Sequence, residues 1–296
     1  MLNIKKGDKV GIISPSSCLE NNDIAPSLNY LRNLGLIPVI GKHVQSQYRY
    51  MGGTAEERAS DIIEFFKDAE IKALFCTRGG AGSIHILPYL DYDIIRNNPK
   101  PIFGFSDSTA LQNGIYTQTN NISYSGILLL YDFKNKNINP LQEQDLHKII
   151  SNKKLEYTSG TTINSGETSG TLIGGNIYAL NSLCGTPYFP DLSNKILFLE
   201  DTGIKSYQLD IMLQQIKLQK GFNQLKGLIF GQFENIRIVD ECDGTIDDNI
   251  RYFCQELNIP AIKDFAYGHT PARHILPIGK QATLNANKCC LTINKS

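Results

Sequence analysis

Nothing in the 296-residue chain approaches the roughly 18 consecutive apolar residues that a membrane-spanning helix requires, so no membrane partner is expected. The run "VGII" near the start is too short for the apolar core of a signal peptide and reads as a first strand. An excess of charge is missing too, because 29 basic residues meet 29 acidic ones. That balance offers no field for a polyanion and argues against nucleic acid as a partner. The seven cysteines are an odd number, none stands in C-x-x-C spacing, and the five histidines do not cluster with them. No metal site is therefore expected. Scattered free thiols suit a reducing compartment and predict a cytoplasmic protein rather than a periplasmic one.

What is present is a composition of ordinary globular type, 41% hydrophobic and 20% charged, in a chain long enough for one large domain or two smaller ones. The first part alternates strand-like and helix-like stretches. "KVGIISP" is β-branched and ended by Pro15, and "IAPSLNYLRNLG" spaces Ile24, Leu28, Leu31 and Leu34 for a helix that Gly35 stops. Thr54 followed by Glu57 opens "TAEERASDIIEFFKDAE" with a capping pattern. "IKALFCT", a helix around 83–90 and "IFGFS" continue the alternation. "ISYSGILLL" (122–130) reads as a further buried strand or strand pair. The pattern predicts an α/β fold whose N-terminal domain, residues 1–135, is Rossmann-like with a mostly parallel sheet. The polar, Ser/Thr/Gly-rich stretch from 136 to 170 loses the helical period and is expected to be a linker. Residues 171–296, with "KILFLED", "SYQLDIMLQQIKLQ" and "LKGLIFGQF", predict a second α/β or α+β domain.

Three strand ends carry candidate chemistry. In "PIFGFSDSTALQNGIY" a predicted strand ends at Phe105 and a helix begins by about Ala110. A serine at such a corner can lift its hydroxyl out of the sheet, with the next amide as an oxyanion donor. "GFSDS" resembles the G-x-S-x-G elbow except that Ser108 replaces the last glycine; helix capping by Ser, Asp and Thr is the competing reading. "CTRGGAGS" (76–83) follows another apolar strand, and Gly79, Gly80 and Gly82 permit amides to converge on an anion. It lacks G-x-G-x-x-G, which leaves a tight turn or an oxyanion hole beside Ser106. A base would come from His269 in the loop-like "FAYGHTPARHILPIG", with His274 close behind; His147 lies in polar surroundings. "KILFLED" ends an apolar strand in Glu200 and Asp201, where a carboxylate is costly unless paired or functional.

Taken in order, these stretches resemble the LD-carboxypeptidase family of serine peptidases, which includes the microcin C immunity proteins. "YMGGTAEERASDIIEFF", "RGGAGS", "PKPIFGFSDSTAL", "LIGGNIYALNSLCGTPY", "ILFLEDTG", "GLIFGQF" and "YGHTPARHILPIG" carry the resemblance from about residue 9 to 284. It implies a Ser-Glu-His triad of Ser106, Glu200 and His269, with backbone amides of Gly80 and Asp107 as oxyanion donors. It also implies an active site at the interface of two domains, often in a homodimer, and no metal or organic cofactor. Ala81, His85, Ser125-Gly126-Ile127, Ile204 and Ile211 depart from common family residues.

The activity implied is hydrolysis of the amide between an L-centre and a terminal D-amino acid, with the muropeptide tetrapeptide as substrate and D-alanine as leaving group in murein recycling. The alternative within the family is cleavage of an amide joining a peptide to a nucleotide-like group. Such members stack the nucleobase on an aromatic side chain, often tryptophan, and this chain has none. A non-enzymatic two-domain protein that binds a small ligand in its cleft is a reading from another class. It gives no reason for Ser106, Glu200 and His269 all to be present.

Overall fold

The computed structural model describes residues 4–20, 23–133 and 138–294. The first sheet is built from β1 (Lys9–Ile13), β2 (Ile37–Ile40), β3 (Ile71–Cys76), β4 (Ile102–Gly104) and β5 (Ser123–Ser125). All are parallel, in the spatial order β2-β1-β3-β4-β5. That order reverses direction between β1 and β3, and in doubly wound sheets ligands bind at such a point, beyond the carboxyl ends of the strands. Phe75, Phe103 and Tyr124 are register partners on β3, β4 and β5 and stack ring on ring, at 4.5 and 5.0 Å between centroids. These cross-strand pairs lie just before the strand ends that carry the site.

Helices α1 (Ala25–Asn33), α2 (Ala55–Lys67), α3 (Tyr92–Asn97), α4 (Ser108–Thr119) and α5 (Leu129–Asp132) belong to this part of the chain. Thr54 and Glu57 form the expected capping box at the start of α2. Two readings differ from the structure. The helix around 83–90 is a 3₁₀ segment, Ser83–Tyr89, with Pro88 inside it. The run 122–130 is strand only from Ser123 to Ser125; the chain turns at Gly126, where φ is +129°, and enters α5. Its continuous apolar character reflects burial on all sides and does not distinguish strand from helix.

The stretch expected as a linker is also folded. Residues 136 and 137 lie outside the described residues; the rest comprises α6 (Pro140–Ile150), β6 (Leu155–Thr158), β7 (Thr161–Asn164) and the first part of β8 (Glu167–Asn176). β6 and β7 are the two edges of the second sheet, so only one set of alternating side chains, such as Leu155 and Tyr157, turns inward. Polar edge strands of this kind resemble loops in composition.

The second sheet continues with β9 (Lys195–Thr202), β10 (Gly227–Glu234) and β11 (Ala261–Lys263), parallel to β8. Helices α7 (Ile177–Asn181), α8 (Ser206–Lys217) and α9 (Ile246–Gln255) connect its strands. Strand β12 (Leu276–Ile278) crosses to the first sheet and pairs antiparallel with β5. β13 (Gln281–Asn285) and β14 (Cys290–Ile293) then return to the second sheet. A strand from the C-terminal half thus completes the first sheet. Helix α4 is their main contact: Asn113 exchanges hydrogen bonds with the backbone of Gly174, at 2.9 and 3.3 Å. Gly174 and Gly175, both at φ +133°, permit this approach. A Cβ on Gly175 would lie 2.4 Å from Thr109 Oγ1.

Candidate active site

Beyond β4 the chain makes one residue of left-handed backbone before α4 begins. That residue is Ser106, at φ +62°. Serine rarely adopts this conformation, and holding it there lifts the hydroxyl off the sheet end. Asp107 does not cap α4 through its side chain. Its carboxylate accepts from Ser83 N at 2.9 Å and its carbonyl accepts from Ser83 Oγ at 2.6 Å, which anchors the corner to the 3₁₀ segment. The opening helix turn closes with Thr109 N donating to Ser106 O at 2.9 Å.

Ser106 Oγ lies 3.0 Å from His269 Nε2, and His269 Nδ1 lies 2.7 Å from Glu200 Oε2. A carboxylate at Glu200 only accepts, so Nδ1 carries the imidazole proton and Nε2 is left to accept from the serine hydroxyl. Glu200 ends the apolar run of β9 and is wholly buried, while His269 is a quarter exposed. The three residues come from three separate segments: the β4–α4 corner, β9, and the loop between β11 and β12.

The His269 loop is tied down on both sides. Arg273 donates to Gly126 O at 3.0 Å, to Thr270 O at 2.9 Å and to Asp132 Oδ1 at 2.6 Å, and its guanidinium lies over the Phe105 ring. Tyr267 and Ser125 hydroxyls meet at 2.7 Å, and Gln232 N donates to Tyr267 O at 2.7 Å. His274, the other base candidate, is engaged elsewhere. Its Nδ1 pairs with buried Asp145 at 2.8 Å and its ring packs on Tyr157. His147 is exposed on α6.

The glycine loop after β3 reaches the serine. A Cβ on Gly79 would lie 3.0 Å from Ser106 Cβ and 3.2 Å from its Oγ. Gly80, at φ +112°, sits against Ser17, whose Oγ accepts from Ala81 N at 3.1 Å. Buried Arg58 donates to Gly82 O at 2.9 Å and to Pro15 O, and so fixes the loops after β1 and β3 together. Burial lowers the Arg58 pKa, and the carboxylate of Asp107 opposes that shift. The amides of Gly80 and Asp107 have no hydrogen-bond partner among the described residues.

These groups open into a cleft of about 790 Å³, whose walls include Gly79, Gly80, Leu128, Tyr131, Gln142 and Thr270. Among the described residues no three His, Cys, Asp or Glu side chains converge as metal ligands, and no helix is long and apolar enough to cross a membrane.

Asp201, the neighbour of Glu200, faces away from His269. It accepts from Thr202 N, Asn176 Nδ2 and Tyr178 N, at 2.7, 2.9 and 3.2 Å. Burial, with a smaller contribution from Glu200, pushes its pKa up to about 6. The sequence reading left Arg58, Arg273 and Asn176 without roles. All three stood within quoted motifs, but only their partners in the fold reveal what they hold.

Comparison with known proteins identifies the family. Residues 10–126 match the model of the LD-carboxypeptidase N-terminal domain, and residues 169–284 match that of the LD-carboxypeptidase C-terminal domain. A probable murein peptide carboxypeptidase of Bacillus subtilis is 31% identical over 95% of this chain and 90% of its own length. The microcin C7 self-immunity protein MccF of Escherichia coli is 27% identical over 98% of this chain and 94% of its own length. The crystal structure of an MccF-like protein from Bacillus anthracis superposes with a TM-score of 0.86 at 29% identity, covering all of both chains. Two domain models spanning most of the chain, and a relative above 30% identity along nearly all of it, place this protein in the LD-carboxypeptidase family.

Proposed function

We propose that the protein is a serine LD-carboxypeptidase that removes the terminal D-alanine from muropeptide tetrapeptides, with Ser106, His269 and Glu200 as its catalytic triad. One observation carries the reading. Three side chains from separate segments form a continuous hydrogen-bonded chain that opens to a cleft at Ser106 and His269, and the first of them stands on left-handed backbone at a strand end.

In this mechanism His269 Nε2 takes the proton of Ser106 as Oγ attacks the scissile carbonyl. Buried Glu200 stabilises the imidazolium that results. The amides of Gly80 and Asp107 bind the oxyanion; removing one such donor typically costs about 100- to 1,000-fold in rate. Collapse of the tetrahedral intermediate breaks the C–N bond, and the leaving amine takes the proton from His269. Water then gives a proton to the neutral imidazole and attacks the ester. The second collapse returns that proton to Ser106 and releases the shortened peptide.

The alternative substrate is a peptidyl-nucleotide amide, favoured by the likeness to MccF. Assay of D-alanine release from purified murein tetrapeptide, comparing wild type with Ser106→Ala, separates the two. Release that disappears in the variant supports the muropeptide reading. No release by folded wild type overturns it and makes peptidyl-nucleotides the next substrates to test. The cytoplasmic location and homodimer that accompany this reading rest on the free thiols of all seven cysteines and on the family resemblance.

A further inference from the structure

Asn176 is the last residue of β8, the register partner of Glu200 and the N-cap of α7. Its side-chain Oδ1 accepts from Ala179 N at 3.0 Å, which fixes the orientation of the carboxamide. The Nδ2 group must then face the other way. It donates to Glu200 Oε1 at 3.2 Å and to Asp201 Oδ1 at 2.9 Å, so one amide bridges two adjacent buried carboxylates. Glu200 uses its other oxygen for His269, and the two contacts together fix the rotation of its carboxylate. On its backbone side, Asn176 N donates to Thr109 Oγ1 at 3.0 Å, and Thr109 N closes the turn onto Ser106 O. Four residues, Ser106, Thr109, Asn176 and Glu200, therefore form one connected path from the nucleophile corner to the acid, independent of the path through His269.

We propose that Asn176 is a positioning residue. It holds the Glu200 carboxylate in the orientation that supports His269 and, through Thr109, ties that carboxylate to the helix behind Ser106. The inference rests on the reading of Ser106, His269 and Glu200 as a triad, and it adds a residue that does not touch the reacting atoms. The other charged or titratable groups about this assembly include Asp201 on β9, Tyr267 and Arg273 on the His269 loop, Asp107 beside Ser106 with Arg58 and Cys76 near it, and Asp132 paired with Arg273. Removing the Nδ2 donor takes from Asp201 the hydrogen bond that lowers its pKa and from Glu200 the contact that fixes its rotation, so the support of His269, and with it the pH profile of reactivity, changes.

The test uses the full-length chain and a fluorophosphonate, which reports on an activated serine without requiring the natural substrate. Labelling rates at Ser106 are measured between pH 4 and 9 for wild type, Asn176→Ala, Thr109→Val and Thr109→Ser, with circular dichroism to check folding. Asn176→Ala is expected to slow labelling about 10- to 100-fold and to change its pH profile. Thr109→Val is expected to slow it about 3- to 10-fold, and Thr109→Ser to recover most of that loss. Labelling by Asn176→Ala within twofold of wild type, or slowed equally at every pH, overturns the positioning role. If Asn176→Ala does not fold, the Thr109 pair decides: equal rates for Val and Ser overturn the proposal. Wild type that is not labelled at Ser106 overturns the triad and this inference together, an outcome distinct from a normal Asn176→Ala.

Discussion

Ser106 Oγ and His269 Nε2 meet at 3.0 Å although 163 positions of sequence separate them. Neither residue makes that distance alone. Ser106 is raised by left-handed backbone at the end of β4, and His269 is brought over it by a loop stapled through Arg273 and Tyr267 to the turn after β5. The Phe105 ring lies under both, 4.6 Å from the imidazole centroid and 4.6 Å from the Arg273 guanidinium. The site is therefore an outcome of how the two sheets join, and substitutions along that seam can separate chemistry from stability.

The sharpest chemical expectation concerns Glu200. Glu200→Gln keeps size and shape but no longer favours the imidazole tautomer that leaves Nε2 free to accept. Loss of activity of about 10⁴-fold is expected, by analogy with acid-to-amide changes in serine triads. Ser106→Ala, which removes the proposed nucleophile, is expected to reduce turnover at least as far. Rates of amide hydrolysis on any accepted substrate check this, and a Glu200→Gln enzyme within tenfold of wild type would remove Glu200 from the triad.

Gly79 and Gly80 are expected to respond differently to alanine. Gly79 has no left-handed backbone to defend, and its added Cβ would press on Ser106 at 3.0 Å. Ser106 must then shift by a few tenths of an ångström, and a fall in kcat of about 10- to 100-fold with little change in Tm is expected. Gly80→Ala meets both a φ of +112° and Ser17 Oγ at 2.1 Å, so it is expected to lose stability as well as activity. Parallel thermal melts and kinetics of the two variants distinguish these outcomes.

Arg273 is predicted to matter first for folding. Arg273→Met keeps an apolar stem over Phe105 but leaves the buried Asp132 carboxylate without its cation. Breaking such a pair costs about 3 kcal/mol or more. Adding Asp132→Asn should recover part of the loss, because a neutral amide no longer needs the partner. A double-mutant cycle by chemical denaturation measures this, and simple additivity would show that the pair is not coupled.

The legibility of this fold and site follows how local each signal is. Strand ends announced themselves: β4 before Ser106, β3 before Gly79, and β9 before Glu200 all pair an apolar run with small or charged residues. The capping box of α2 needs only four consecutive residues and was readable for the same reason. β6 and β7 were not readable, because edge strands with one wet face lose the continuous apolar pattern, and their partners lie about 100 residues or more away. His274 and His269 were equivalent as loop histidines until Asp145 claimed the first and Glu200 the second. Asn176 was invisible as a positioning residue for a related reason. Its meaning lies in a register pairing with Glu200 across two parallel strands.

The last expectation is a pH dependence of stability set by Asp201. Its folded pKa stands at about 6, above the ordinary value of 3.8, chiefly because burial disfavours the charge. Below about pH 4 the group is protonated in both folded and unfolded chains. Between about pH 4 and 6 the folded chain keeps the proton and the unfolded chain releases it, so the unfolded state binds fewer protons and stability falls as pH rises. The raised pKa thus contributes stability that is fully present at low pH and lost as pH passes 6, by at most about 3 kcal/mol. Asp201→Asn removes the titration and replaces it with a constant offset, because one of its amide hydrogens must face a backbone donor. The difference in Tm between wild type and Asp201→Asn is therefore expected to change across pH 4–6 and to be flat above pH 7. A difference that is flat across the whole range would mean that Asp201 titrates at its ordinary value, and that the bridging amide of Asn176 fully offsets the cost of burying it.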